Sequence, residues 1–192
     1  MSDNAITLAP DLRLCRLCLD HAAAFFAAID GDRARLGRWL PFVETTRGVE
    51  DCAAYIRALN QPPGSDLNLV FVIECEGAFA GLVGLFATDW DNAKTELGYW
   101  LVGCFEKRGL VTRAATCLID RAFNRLGLNR VTVRCAVDNA SSRAVAERLG
   151  FTHEGIERDA AREGDGHFVD AHVFSLLARE WKGPSAISNQ RL

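Results

Sequence analysis

The stretch from Thr95 to Leu126 changes hydrophobic period once, and that change limits the folds open to the chain. Thr95 to Val102 reads as a strand and a charged turn around FEKRG follows. Then Ala115, Leu118, Ile119, Ala122, Phe123 and Leu126 recur at i, i+3, i+4, i+7, i+8 and i+11. Arg113, Thr116, Asp120, Arg121 and Asn124 take the other side, so this is an amphipathic helix that needs an apolar surface beneath it. Gly127 ends the helix, and Val131, Val133 and Cys135 alternate as the next strand. A strand, a helix and a strand in this order place the helix on the face of a sheet.

The rest of the chain supplies more sheet and a second set of helices. Asp11 to Arg16 alternates like a short strand. Leu19 to Ile29 and Ala34 to Trp39 read as helical pieces parted at Gly31, and Glu50 and Asp51 open a helix that QPPGS stops beyond Asn60. Leu69 to Ile73, a turn at Glu76 and Gly77, and Phe79 to Phe86 form a hairpin. A short helix over Ala140 to Leu149 and strands near Phe151 to Ile156 and Phe168 to Leu177 complete the order. The pattern predicts an α+β fold, mixed α/β in its second half, with about seven strands and helices on both faces. One domain over residues 1–182 accounts for all of this, and residues 183–192 read as a disordered tail.

At 192 residues the chain can bury about 70% of its unfolded surface without covalent staples. No apolar run reaches the roughly 20 residues a membrane span needs, and MSDNAITLAP has neither a basic nor an apolar leader segment, so a cytoplasmic location is expected. Seven cysteines scattered through apolar segments suit reduced thiols. Cys15 and Cys18 have no second pair, so no metal is expected.

The net charge of −3 argues against a general nucleic-acid binder. Yet the segment from Glu106 to Arg148 carries nine basic residues against four acidic. Either these form solvated helix faces or they set up a local field for a small polyanion. The turn before the long helix bears on the second reading, although many strand-to-helix turns carry a glycine and two basic residues. A helix start leaves N–H groups unpaired at the positive end of its dipole, which suits phosphate. Gly109 lets an anion approach the backbone, with Lys107 and Arg108 beside it. The turn has neither the GxxxxGKT nor the GxGxxG pattern of nucleotide-binding folds.

ELGYWLVGCFEKRGLVTRAATCLIDRAFNRLGLNRVTVRCAVDNASSRAVAERLGFTHEG, Glu96 to Gly155, resembles the GNAT superfamily of acetyl-CoA-dependent acyltransferases. Within it the match is to the Rim-type branch, which acetylates N-terminal amines of ribosomal proteins. GYWL, the turn ending RG before a T, LGLNRV, DNxxS and ERLGFxxEG occur in order. The resemblance implies a mostly antiparallel twisted sheet splayed in the middle, with the pantetheine arm of acetyl-CoA along Trp100, Leu101 and Val102. It places the diphosphate on Lys107, Arg108, Gly109, Leu110, Val111 and Thr112. Glu106 departs from the superfamily pattern, and its carboxylate is expected to turn outward or pair with a neighbouring base.

The same resemblance makes Ser142 the proton donor to the departing thiolate and Asn139 a pantetheine contact, although both could simply cap the helix that follows. Glu96 is the candidate base through a water, or else a half-exposed strand carboxylate. Where relatives often carry a glutamate this chain has Ala161, with Glu163 two residues on. Trp39, Phe42 and Tyr99 are expected to wall the acceptor side, Trp39 and Phe42 otherwise being core.

The acceptor implied is a primary amine, with no nucleic acid or membrane partner and a homodimer in keeping with the branch. Neutralising an α-amine of pKa about 8 at pH 7 costs on the order of 1 kcal/mol, against nearly 5 for a lysine, which favours an α-amine where the base is weak. Small-amine acetylation, of antibiotics or polyamines, and a non-catalytic coenzyme sensor are the competing readings.

Overall fold

The computed structural model describes residues 5–60, 68–162 and 167–184. QPPGS, Glu163 and most of the expected tail lie outside them. The eight strands are β1 (Ala5–Ala9), β2 (Leu12–Arg16), β3 (Leu69–Cys75), β4 (Ala78–Asp89), β5 (Lys94–Leu101), β6 (Arg130–Ala136), β7 (Thr152–Arg162) and β8 (Phe168–Leu177). They form one sheet in the order β1-β2-β3-β4-β5-β6-β8-β7, antiparallel throughout except for β5 beside β6. The strand beyond the predicted seven is β1, a five-residue edge piece turning back at Pro10 and Asp11, where proline needs no ladder partner.

The helices divide by face. α1 (Ala22–Gly31), α2 (Arg33–Gly37), α3 (Phe42–Thr45) and α4 (Val49–Asn60) cover one side, with Phe25, Ile29, Leu36, Val43 and Ile56 buried against Val70, Val72 and Leu82. α5 (Leu110–Asn124) and α6 (Ala140–Arg148) cover the other. There the predicted stripe of α5 is fully buried at Ala115, Leu118, Ile119 and Ala122, against Val83, Leu85, Leu97, Val131 and Val133. Burying each Leu or Ile of the stripe contributes roughly 1.5–3 kcal/mol.

Two strands from β4 to β6 then behave differently. β4 follows β5 along almost its whole length, from Asp89 opposite Lys94 to Gly81 opposite Leu101. β5 and β6 pair only over three positions, Lys94 to Glu96 with Arg130 to Thr132, and then diverge. β6 meanwhile stays paired with β8 as far as Ala136. The sheet is therefore open between Leu97–Leu101 and Val133–Ala136.

The β4–β5 contact at the mouth of this opening depends on Gly81. A Cβ there would sit 2.1 Å from the Trp100 carbonyl oxygen and 2.8 Å from the Leu101 Cα, both backbone atoms that cannot swing away. Gly81→Ala is expected to destabilise the fold by about 3 kcal/mol or more, read as a lowered urea midpoint. A midpoint within error of wild type would show that the strands do not approach this closely.

Candidate active site

A cleft of about 630 Å³ lies at the opening. Of the residues expected at the site it gathers Trp39, Glu96, Tyr99, Trp100, Leu101, Lys107, Gly109, Leu110, Val111, Thr112, Asn139 and Ser142. Val102, Arg108 and Phe42 are not among its walls.

The backbone of β5 determines which groups the opening offers. The Val102 N–H bonds to the Ala80 carbonyl at 2.8 Å, toward β4. Antiparallel pairing alternates bonded and non-bonded positions, so Trp100 also faces β4, whereas the N–H and C=O of Tyr99 and Leu101 face the gap. The Leu101 carbonyl accepts Arg35 Nη2 from that side at 2.6 Å. The groups left for a bound amide are therefore the N–H and C=O of Tyr99 and the N–H of Leu101, not those of Trp100 or Val102.

At the exit of β5 the chain turns through Gly103–Phe105 and reaches left-handed backbone at Lys107 (φ 59°) and Gly109 (φ 71°). Gly109 is the N-cap of α5, with no side chain capping the helix and no acid in its first turn. The first intrahelical bond is Arg113 N–H to the Gly109 carbonyl at 3.1 Å, so the N–H groups of Leu110, Val111 and Thr112 are left for another acceptor. Lys107 lines the cleft beside them, with no carboxylate paired to it among the described residues. Arg148 at the end of α6 reaches the Thr112 hydroxyl at 3.3 Å and adds a second cation. Arg108 is turned away, bonded to Glu76 at 2.8 Å. Glu106 pairs with Arg35, as the expectation of a neighbouring base required.

Across the opening, Asn139 Oδ1 accepts the Ser142 N–H at 3.0 Å and so caps α6. This leaves the Ser142 hydroxyl free of capping, and it donates to the Tyr99 phenol at 3.2 Å while the phenol donates to the Ser142 carbonyl at 3.1 Å. Burial pushes the Tyr99 pKa up to about 12 against the opposing effect of the serine hydrogen bond. Cys135 on β6 also lines the cleft; burial pushes its thiol up, partly offset by the Ser142 hydroxyl.

The far end of the cleft is charged differently. Glu96 Oε2 accepts Arg134 Nη2 at 2.7 Å and Nε at 3.1 Å, and Arg134 also meets Glu157 at 3.4 Å. Arg38 stacks on Trp39 at 4.5 Å and Arg162 on Phe168 at 5.0 Å. Both arginines line the cleft, as does Ala161. Phe42 packs instead on Tyr55 at 5.8 Å and Phe25 at 6.4 Å, in the core beneath α1 and α4. Cys15 and Cys18 point apart, toward Glu74 and His21 respectively.

Arg35 and Arg148 escaped sequence reading as individual site residues: Arg35 lies outside the motifs, and Arg148 was counted within ERLGFxxEG and the basic excess without a role of its own. Cys135 was read as a buried strand position, which its parity explains.

A match to the family described as acetyltransferase (GNAT) domain spans residues 11–152. The chain belongs to the GNAT acetyltransferases. As a member of its Rim-type branch it is an acetyl-CoA-dependent N-acetyltransferase. It is 39% identical over 153 residues to a Bacillus subtilis (strain 168) protein named "Putative ribosomal N-acetyltransferase YdaF", covering 79% of this chain and 83% of that one. It is 24% identical to the ribosomal-protein-serine acetyltransferase of Escherichia coli (strain K12), over 91% and 97% of the two chains. The crystal structure of the microcin C7 self-immunity acetyltransferase MccE with acetyl-CoA and AMP superposes with a TM-score of 0.84 at 25% identity, covering 92% and 97%. In this GNAT chain the orphaned N–H groups of α5 and the gap beside β5 fit an elongated thioester ending in a diphosphate.

The buried phenol gives a test of the geometry. The chain has two tyrosines, and burial raises both Tyr55 and Tyr99. A group whose folded pKa is raised contributes stability that is lost as pH climbs from its unfolded value, 10 for tyrosine, to the folded one. Absorbance at 295 nm should therefore show the two tyrosines well under half ionised at pH 10, and the urea midpoint should fall between pH 10 and about 12. Half-ionisation of the tyrosines at pH 10 would contradict the buried phenol.

Proposed function

We propose that the chain transfers acetyl from acetyl-CoA to an α-amino group of a protein, peptide or aminoacyl compound, by direct attack, in the cytoplasm. The observation that carries this reading is the opening between β5 and β6, with the bare start of α5 at one side and the Ser142 hydroxyl at the other. Seven free cysteines suit a reducing compartment.

On this reading the N–H groups of Leu110, Val111 and Thr112, with Lys107 and Arg148, hold the diphosphate. The Tyr99 N–H and C=O and the Leu101 N–H face the pantetheine and the thioester, and one of the two N–H groups meets the charge that develops on the thioester oxygen. As the amine nitrogen bonds to the carbonyl carbon, the carbon–sulfur bond breaks, and the thiolate takes the Ser142 hydroxyl proton while that hydroxyl takes one from water. Tyr99 keeps the serine hydroxyl in place. The phenol gives its own hydrogen to the Ser142 carbonyl, so it orients the serine rather than donating to sulfur. The proton shed by nitrogen leaves through water, for which Glu96 retains Oε1.

The acceptor end favours an α-amine over a polyamine. Arg38, Arg134 and Arg162 line it, and the one carboxylate among the described walls there, Glu96, is already bonded to Arg134. Among the described residues a polycation finds repulsion and no free counter-charge at that end. An α-amine is neutral in roughly a tenth of its molecules at pH 7, so it needs little help to react.

Ser142→Ala is expected to lower kcat about 100-fold or more while coenzyme A affinity stays within about twofold of wild type. Steady-state rates and calorimetry read the two effects separately. In a panel of amines, peptides should exceed spermidine in kcat/KM by at least about tenfold. An unchanged kcat would remove Ser142 from the chemistry, and preferred acetylation of spermidine would overturn the acceptor class. No transfer to any amine, with coenzyme A still bound, would make the chain a sensor.

A further inference from the structure

Glu106 puts a carboxylate at the edge of a turn suited to an anion, where it would repel a diphosphate. The fold meets this with one guanidinium. Arg35 Nη1 lies 2.5 Å from Glu106 Oε1. Its Nε bonds both oxygens of Asp32, at 2.9 and 3.1 Å, and its Nη2 bonds the Leu101 carbonyl at 2.6 Å. Asp32 in turn accepts the Gly103 N–H at 2.8 Å. Burial alone would raise the Asp32 carboxyl, but the Arg35 hydrogen bonds and the Gly103 N–H outweigh it and hold the group below its ordinary value. Arg35 and its partner Asp32 thus connect α2 to the end of β5, to the segment leaving it, and to the residue before Lys107. The guanidinium is about one-third exposed, and its planar fork suits several fixed acceptors at once.

We infer that Arg35 is a positioning residue for coenzyme binding. It neutralises Glu106 so that Lys107 and the N–H groups of Leu110 to Thr112, not a bare carboxylate, meet the diphosphate. The inference rests on the coenzyme site proposed above. It differs from two other roles for the same side chain: direct contact with the phosphates, and simple support of the fold. Only neutralisation predicts that removing Glu106 makes Arg35 dispensable.

The test is a double-mutant cycle read by calorimetry, with coenzyme A titrated into the full chain carrying Arg35→Met, Glu106→Gln or both. Arg35→Met should weaken binding by about tenfold or more, Glu106→Gln should leave it within about threefold of wild type, and the double variant should recover to within about threefold. Wild-type affinity in Arg35→Met, or a double variant as weak as Arg35→Met, would overturn the inference and leave the coenzyme site standing. Absence of heat with wild type would overturn the site itself and this inference with it. Should Arg35→Met not fold, Glu106→Gln decides: binding within about threefold of wild type supports neutralisation, and tightening beyond about tenfold means that the carboxylate acts unscreened and overturns it.

Discussion

Everything at the site follows from the short pairing of β5 with β6. Three paired positions hold the two strands together at one end, and beyond them the Tyr99 and Leu101 main-chain groups have no neighbouring strand to bond. A buried main-chain group without a partner costs about 1–3 kcal/mol, so such a gap persists only where other contacts enforce it. β4 binds β5 to the end of its length through the glycine contact at Gly81, β8 does the same for β6, and the Tyr99 phenol reaches the α6 residue Ser142. The strands are held apart by their other neighbours, which leaves a slot with hydrogen-bonding edges in the middle of a packed sheet.

Charge is used sparingly around this slot. Of the nine basic residues between Glu106 and Arg148, four are held in ion pairs: Arg108 with Glu76, Arg130 with Glu154, Arg134 with Glu96 and Glu157, and Arg143 with Glu147. Lys107 and Arg148 remain at the start of α5, where the helix dipole has the same sign. Arg35 comes from a different part of the chain and shares this neighbourhood with its own acid.

The sequence showed most clearly what local physics dictates. The stripe of α5 and the left-handed Gly109 at its cap could be read from period and residue type. The Glu106 pairing could be anticipated because a carboxylate there needs a reason. What could not be read depends on long-range register. Nothing in GYWL says which main-chain groups face the gap; the Val102 to Ala80 bond decides that. Nothing in LGRWLPF separates Trp39, in the cleft, from Phe42, which packs on Tyr55 and Phe25. Arg35 stands 71 residues from its partner Glu106, a distance no local pattern spans.

The account's central claim is that main-chain N–H groups at the opening wait for a ligand. Amide hydrogen exchange resolved residue by residue tests it with and without coenzyme A. The account predicts that Tyr99, Leu101, Leu110, Val111 and Thr112 gain protection on addition of coenzyme A while Val102, already bonded to Ala80, does not change. Equal exchange at those five amides in both states, or protection before any ligand is added, would contradict it.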